Sequence, residues 1–192
     1  MKKTILFVLI CIFMFGCATP FKKMDGAAVG DTLYARSNLM VNGDTIFWHN
    51  MSGFKGIIPA GTEINILHFS RKAIIFIVPG EEKKYRLLTE TANYDKYFVK
   101  DKDAIGLEKL SSDVMKKIKG RMILEGMTKE EVFISRGCPA FIGWGEVSLR
   151  RTFESAMKSD TWYYYLNSRN LECLVKFKDG VVNDIVWYRH KK

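Results

Sequence analysis

The sequence predicts an α+β fold in which a small all-β unit precedes a two-layer unit of helices packed on an antiparallel sheet. Two observations lead to this fold class. Residues 31–92 hold short apolar or alternating runs about every ten residues, separated by turn signals, which is typical of a small barrel or sandwich. Residues 126–188 change from a helical period to a period of two. We therefore expect an all-β unit over 31–92, and two helices on a three-stranded meander over 93–192.

Five strands are expected in the first unit, at residues 33–35, 46–48, 64–67, 73–78 and 85–88. The run Ile57-Ile58-Pro59-Ala60-Gly61-Thr62, which leads into a strand, resembles a bacterial SH3-like barrel. That resemblance implies a small barrel and brings no catalytic motif with it. So small a unit is near the lower size limit for independent stability, and we expect it to pack on the unit that follows.

Helical patterns are expected between and after these strands. Apolar residues with helical spacing form two groups, which are Tyr94, Tyr97 and Phe98, and then Leu107, Leu110, Val114 and Ile118. We expect both groups to pack on the sheet. A further short helix is predicted over residues 129–136, because Thr128 and Glu131 form a capping box. Gly137 and Pro139 then end that helix.

Three strands of a meander are predicted after the last helix. The first alternates Trp162, Tyr164 and Leu166 with Tyr163 and Tyr165, and the second places Leu171, Cys173, Val175 and Phe177 on one side. Asp179-Gly180 is a strong hairpin signal, because both residues tolerate positive φ. The third strand is expected from residue 181 to about residue 188.

The C-terminal third resembles the SmpA/BamE family of small outer-membrane lipoproteins. The motifs that carry the resemblance are Gly126-Met127-Thr128 with Val132, Gly137-Cys138-Pro139, Trp162-Tyr163-Tyr164, and Val175-Lys176-Phe177-Lys178-Asp179-Gly180-Val181-Val182. The resemblance implies a BamE-like helix-and-meander fold and a partner among β-barrel assembly components. Residues 141–159 form an insert that departs from the compact family pattern.

The N terminus has the pattern of a secretory signal. Lys2-Lys3 precede an apolar run that is too short to span a membrane and that ends at Gly16-Cys17. Residues 14–17 resemble a lipobox, which implies a signal peptide over 1–16, lipidation of Cys17 and a tether over 17–30. An ordinary cleaved signal is the alternative. Ala18 resembles the sorting pattern for the outer membrane, so we expect a lipid-anchored protein on its periplasmic face.

The charge balance is basic. The full chain carries 30 Lys and Arg against 21 Asp and Glu, a net charge of +9. Loss of residues 1–16 removes Lys2 and Lys3 and leaves an excess of seven basic residues. An exported protein does not meet nucleic acid, so this charge points to anionic lipid or cell-wall polymers. The alternative is an ordinary solvated surface.

No catalytic, metal or cofactor site is predicted. The histidines His49, His68 and His190 lack metal-ligand spacing. Gly143-Trp144-Gly145 lacks the lysine and the context of a phosphate loop. Cys138 and Cys173 have no neighbouring histidine in sequence, so a disulfide between them or two buried thiols are the alternatives.

One sheet face is a candidate binding surface. It carries the apolar residues Tyr163, Tyr165, Leu174, Val182, Val186 and Tyr188, which either the all-β unit or a partner should cover. The first functional hypothesis is a non-enzymatic envelope lipoprotein that binds or scaffolds a partner. The alternatives are a cell-wall or peptide binder acting through the SH3-like unit, and an inhibitor resembling the β-lactamase-inhibitor-protein fold. All three depend on resemblance of fold.

Overall fold

The computed structural model describes residues 23–24 and 26–188, and the architecture below is that of this part of the chain. Its strands are β1 (Lys23–Met24), β2 (Ala27–Ala28), β3 (Thr32–Ala35), β4 (Leu39–Asn42), β5 (Thr45–Phe47), β6 (Gly56–Ile58), β7 (Glu63–Ser70), β8 (Ala73–Ile77), β9 (Lys84–Leu88), β10 (Phe98–Val99), β11 (Phe141–Ile142), β12 (Glu146–Val147), β13 (Thr161–Tyr165), β14 (Leu171–Lys178) and β15 (Val181–Trp187). Its α-helices are α1 (Ser112–Lys119), α2 (Lys129–Arg136) and α3 (Phe153–Lys158). Short 3₁₀ turns occupy Thr91–Lys96, Lys102–Ile105, Leu107–Lys109 and Ser148–Arg150. The predicted α+β class is confirmed, with strands predominating.

The N-terminal sheet is a curled half-barrel of eight strands in the order β10-β3-β7-β8-β9-β5-β4-β6. The five predicted strands are confirmed as β3, β5, β7, β8 and β9. The sequence pattern missed β4, whose Leu39, Met40 and Val41 are all buried and therefore do not alternate. It also missed β10, which pairs with β3 although it lies beyond residue 92. The helical spacing of Tyr94, Tyr97 and Phe98 does not reflect an α-helix.

Helix α2 begins and ends at the predicted residues. The Thr128 hydroxyl accepts a hydrogen bond from the Glu131 amide at 3.2 Å, and the Glu131 carboxylate accepts one from the Thr128 amide at 3.0 Å. Gly137 ends the helix with φ 73° and ψ −160°. A Cβ at Gly137 would lie 1.7 Å from Nδ2 of Asn50, so both the conformation and the packing require glycine there.

The C-terminal sheet has five antiparallel strands in the order β12-β11-β13-β14-β15. Strands β13 to β15 are the predicted meander, and Asp179 and Gly180 both take positive φ in its hairpin turn. The insert at residues 141–159 adds β11 and β12 at the edge of β13 and then forms α3. The predicted number of three strands is therefore wrong for this sheet, because the insert contributes two further strands that pair at the edge of the meander.

The predicted packing of two helices on the meander is wrong for α1. Ile118 of α1 shares a small core with Val99, Ile105 and Ile134, so α1 lies on the far side of α2. Helix α3 packs on the sheet where α1 was expected. There Nε1 of Trp162 donates to the Ala156 carbonyl at 2.9 Å. The apolar stripe of α1 identified a buried side but could not identify the surface that covers it.

Two buried asparagines of the N-terminal unit join it to the helices. Nδ2 of Asn38 donates to the carbonyls of Ile118 at 2.8 Å and Ser135 at 3.0 Å, near the C-terminal ends of α1 and α2. Nδ2 of Asn50 donates to the Arg136 carbonyl at 3.0 Å. These bonds satisfy helix-end carbonyls that lack an intrahelical partner. A continuous apolar core runs through both sheets, so the two units form one packed body.

Candidate functional site

The candidate site is the side of the C-terminal sheet that faces away from α2. We call it the outer face, and its apolar residues are Phe141, Tyr163, Tyr165, Leu174, Val186 and Tyr188. Five of the six residues predicted for this face lie on it. Val182 does not, because the pairing of β14 with β15 shifts register between Lys176 and Phe177. The shift turns Val182 into the core, where it is 3% exposed.

The outer face is covered at one end and open at the other. The Phe141 ring packs on the rings of Tyr163 and Tyr165, with centroids 6.4 and 6.0 Å apart. From the N-terminal unit, His49 meets Tyr165 edge-on at 5.8 Å. In contrast, Val186 is 37% exposed and Tyr188 is 42% exposed. Of the two covers that the sequence allowed, the all-β unit reaches this face at Tyr165 but leaves the apolar side chains of Val186 and Tyr188 in contact with water.

Trp144 stands beside the outer face and is fully exposed to solvent. It occupies the tip of the β11–β12 hairpin between Gly143 and Gly145, which both have positive φ. A concavity of about 600 Å³ lies between this tip and the neighbouring strands, lined by Gly143, Trp144, Ser159, Asp160, Thr161, Tyr163, Leu174 and Lys176. The run Gly143-Trp144-Gly145, which does not fit a phosphate loop, was not predicted to form an exposed aromatic tip. A lone tryptophan between two glycines was the available signal.

Three basic side chains around the outer face are paired with acidic neighbours. Arg151 meets Glu146 at 2.8 Å, Lys158 meets Glu154 at 2.6 Å, and Lys176 meets Asp184 at 2.8 Å. Each of these three basic groups thus has an acidic neighbour within the chain. This part of the rim presents a balanced polar border beside an apolar centre, which is the usual anatomy of a protein-binding surface.

His49 makes the margin of this face sensitive to acid. Its Nδ1 is buried without a hydrogen-bond partner, and burial lowers the pKa of the ring from 6.5 to about 4. Between these two pH values the unfolded chain binds a proton that the folded chain excludes, so stability falls as the pH drops from 6.5 to 4. Because the ring is only partly buried, we expect a loss of about 2 kcal/mol from this group.

The test is urea unfolding at pH 7 and pH 4.5 for the wild type, His49→Phe and His68→Phe. His49→Phe should lose less stability on acidification than the wild type. His68 lies at an exposed strand position and serves as the control. An equal acid loss in the wild type and in His49→Phe would contradict the assignment.

A second concavity, of about 570 Å³, lies in the N-terminal unit. It is lined by Val41, Asn42, Gly43, Gly53, Phe54, Lys55, Gly56, Ile57, Lys83 and Tyr85, without an acidic side chain. The Lys83 ammonium donates to the Gly43 carbonyl at 2.7 Å and lies 5.1 Å from the centre of the Tyr85 ring. Two lysines without a lining carboxylate favour an anionic ligand. We call this concavity the lysine cleft.

Cys138 and Cys173 are both buried and free, so no disulfide joins them. This is the second of the two arrangements that the sequence allowed. Burial raises the pKa of Cys138, and it raises the pKa of Cys173 to about 12. Thiols with raised pKa values are poor nucleophiles, which does not favour a cysteine hydrolase.

A fully buried lysine lies near Cys138. The Lys96 ammonium donates to the carbonyls of Ser148 at 2.7 Å and Leu149 at 2.9 Å, and burial lowers its pKa. The Cys138 thiol lies 3.4 Å from Oγ of Ser148. The two hydrogen bonds of Lys96 join the 3₁₀ turn at Thr91–Lys96 to the insert. Because Lys96, Cys138 and Ser148 are all buried, this cluster is closed to a substrate.

Several predicted features lie outside the described residues. These are the signal peptide, Cys17 and His190, together with half of the tether. Across residues 26–188 the structure shows no group of three or more His, Cys, Asp or Glu that could hold a metal. None of the helices in that same range has the length and apolar character needed to cross a bilayer.

Comparison of the chain with protein-family models, with curated proteins and with solved structures finds no match. The resemblances to the SmpA/BamE family and to SH3-like barrels therefore stay predictions from motifs. The geometry of the outer face and of the lysine cleft carries the functional argument.

Proposed function

We propose that this protein is a non-enzymatic lipoprotein of the bacterial envelope that holds a partner protein on its outer face. In this proposal Cys17 carries the lipid anchor and the folded body stands on the periplasmic side of the outer membrane. The observation that carries the proposal is the pair of exposed apolar side chains Val186 and Tyr188, on the same sheet face as the concavity that Trp144 lines with Tyr163 and Leu174. Such an apolar surface on a folded domain is typical of a protein-binding site.

A protein partner fits the outer face better than anionic lipid does. Arg151, Lys158 and Lys176 on the rim are paired with acidic neighbours, so these three side chains offer little charge to phosphate headgroups. The concavity beside Trp144 offers room for a side chain from a partner. The proposed class of partner is a component of β-barrel assembly, by the resemblance to SmpA/BamE.

The finer description of the fold belongs to this proposal. Helix α2 followed by β13, β14 and β15 matches the helix-and-meander order that the SmpA/BamE resemblance implies. The insert strands and the position of α1 are additions to that plan. Likewise, an SH3-like barrel is proposed for part of the N-terminal half-barrel, which has more strands than the five expected from the sequence.

The test is in-cell crosslinking and capture of the lipidated protein from solubilised envelopes. Three forms are compared, namely the wild type, Cys17→Ser, and Val186→Ser combined with Tyr188→Ser. Both serines replace exposed side chains, so the melting temperature of that double variant should change by no more than a few degrees. We expect an outer-membrane assembly component in the wild-type sample and its loss, by tenfold or more, from both variants.

Recovery of the same proteins with the face variant would contradict the proposal. Recovery of wall fragments instead would favour the second candidate function, a cell-wall binder. The observation behind that candidate is the lysine cleft, whose lining has two basic and no acidic side chains.

A further inference from the structure

Strand β15 forms a free edge of the C-terminal sheet. One side of β15 pairs with β14, and on the other side the loop before α2 pairs only with its first two residues. The Gly126 amide donates to the Val182 carbonyl at 3.0 Å, and the Val182 amide donates to the Met127 carbonyl at 2.8 Å. No strand of residues 26–188 pairs with the remainder of this edge, from Asn183 to Trp187.

The direction of the backbone groups along this edge follows from one hydrogen bond. The Tyr188 amide donates to the Glu172 carbonyl at 2.9 Å, so it points towards β14. Neighbouring amides of an extended strand point in opposite directions. The amides and carbonyls of Trp187 and Ile185 therefore point away from the sheet and are available to an added strand.

The side chains at this edge lack the usual protection against pairing. Val186, Trp187 and Tyr188 are 37%, 51% and 42% exposed, and the run from Ile185 to Tyr188 has no charge and no proline. Natural proteins normally protect an exposed edge with lysine, proline or very short strands. At the ends of the N-terminal sheet, β10 has two residues and β6 has three residues followed by Pro59. Strand β15 is therefore the least protected sheet edge among the described strands.

We propose that the edge of β15 binds a short extended peptide by β-strand addition, with main-chain hydrogen bonds to Ile185 and Trp187. Alternate side chains of the peptide pack on Val186 and Tyr188 of the outer face. This inference deepens the proposed function and rests on it, since it states how the partner protein is recognised.

The length of the free edge and the charge that follows it in sequence favour a short peptide with apolar and acidic residues over a second copy of this chain. The loop before α2 limits the free edge to the segment from Asn183 onward, which a short peptide can match. In sequence the strand is followed by Arg189, Lys191 and Lys192, which attract acidic residues and repel a second basic copy.

The test uses the detergent-solubilised, lipidated protein and a phage-displayed library of linear dodecapeptides as the probe. Selected peptides are measured against the wild type, Trp187→Pro and Trp187→Val. Proline at position 187 removes an outward amide and leaves the pairing with β14 intact, so the variant should keep its fold. Valine removes the same indole but keeps the amide, which makes it the matched control.

We expect enriched peptides that bind Trp187→Val within about fivefold of the wild type and bind Trp187→Pro at least 20-fold more weakly. Hydrogen exchange should show that bound peptide slows the amides of Ile185 and Trp187 and leaves those of Val186 and Tyr188 unchanged. Equal melting temperatures for Trp187→Pro and the wild type would show that the weaker binding of the proline variant does not come from misfolding.

Three results would overturn strand addition. These are no enrichment over background, equal binding to Trp187→Pro, and slow exchange at Trp187 in the free protein, which would show that the edge is already occupied. None of them alters the in-cell capture through Val186 and Tyr188. Failure of the strand-addition proposal can therefore be distinguished from failure of the proposed binding function of the outer face.

Discussion

Replacement of Gly137 by alanine is expected to lower the free energy of unfolding by about 4–6 kcal/mol, or to prevent folding altogether. Two costs combine at this position. The backbone at φ 73° and ψ −160° is a region that is essentially restricted to glycine. The added methyl would also displace the Asn50 side chain, whose amide nitrogen would lie 1.7 Å from the new Cβ.

Asn50 cannot move without further loss, because it is buried and its hydrogen bonds join three segments. Its Oδ1 accepts from the Met40 amide at 3.1 Å, and its Nδ2 donates to the carbonyls of Asn38 at 2.6 Å and Arg136 at 3.0 Å. Each of these backbone groups would be left buried without a partner, at about 1–3 kcal/mol apiece.

The measurement is urea unfolding followed by tryptophan fluorescence, with Gly126→Ala as the matched control. Gly126 also has positive φ, at 84°, but a Cβ there would meet nothing within 4 Å. Gly126→Ala should therefore lower the free energy of unfolding by only about 1–2 kcal/mol, which is the cost of the left-handed backbone conformation. Equal losses at the two glycines would show that Asn50 does not hold the N-terminal unit to α2.

Replacement of Glu172 by leucine is expected to cost about 3 kcal/mol, because it leaves the guanidinium of Arg136 buried without a counter-charge. Arg136 of α2 and Glu172 of β14 form an ion pair, with side chains 5% and 19% exposed. Oγ of Ser52 donates to the same carboxylate at 2.7 Å. The pair therefore connects α2, the sheet and the N-terminal unit.

A second substitution tests whether the cost comes from the unpaired charge. Arg136→Met added to Glu172→Leu should restore at least about 2 kcal/mol, since apolar pairs replace buried ion pairs with little loss. Glu154→Leu breaks the exposed pair with Lys158 and should leave the urea midpoint nearly unchanged. A double variant that is less stable than Glu172→Leu alone would contradict this account.

The sequence predicted the elements whose signals are local. Thr128, Glu131 and Gly137 lie within ten residues of one another, and they define both ends of α2. Asp179 and Gly180 define the last hairpin in the same way. Their side chains and backbone preferences act within a single turn, so no knowledge of distant contacts was needed.

The errors arise where distant contacts decide the outcome. The register shift between β14 and β15 turns Val182 inward, and the backbone of Val182 pairs with the loop before α2. Glu172 lies at a second bulge, between the pairs Tyr165–Leu171 and Tyr164–Cys173, and bonds with Arg136. Bulges of this kind leave no trace in an alternating pattern.

The candidate site was predicted in part for the same reason. Tyr163, Tyr165, Leu174, Val186 and Tyr188 share the face that strict alternation gave them. Alternation could not show that Trp144 would stand beside this face, because that position depends on the insert pairing with β13. It also could not show the lysine cleft, whose lining comes from three separate segments.

We propose above all that the outer face binds a protein partner in the envelope. The most direct measurement is the in-cell capture that compares the wild type with Val186→Ser combined with Tyr188→Ser, at equal protein levels and equal membrane attachment. We expect one set of outer-membrane proteins to crosslink to the wild type and to be lost from the face variant. Capture of the same set by both forms, with both folded, would contradict it.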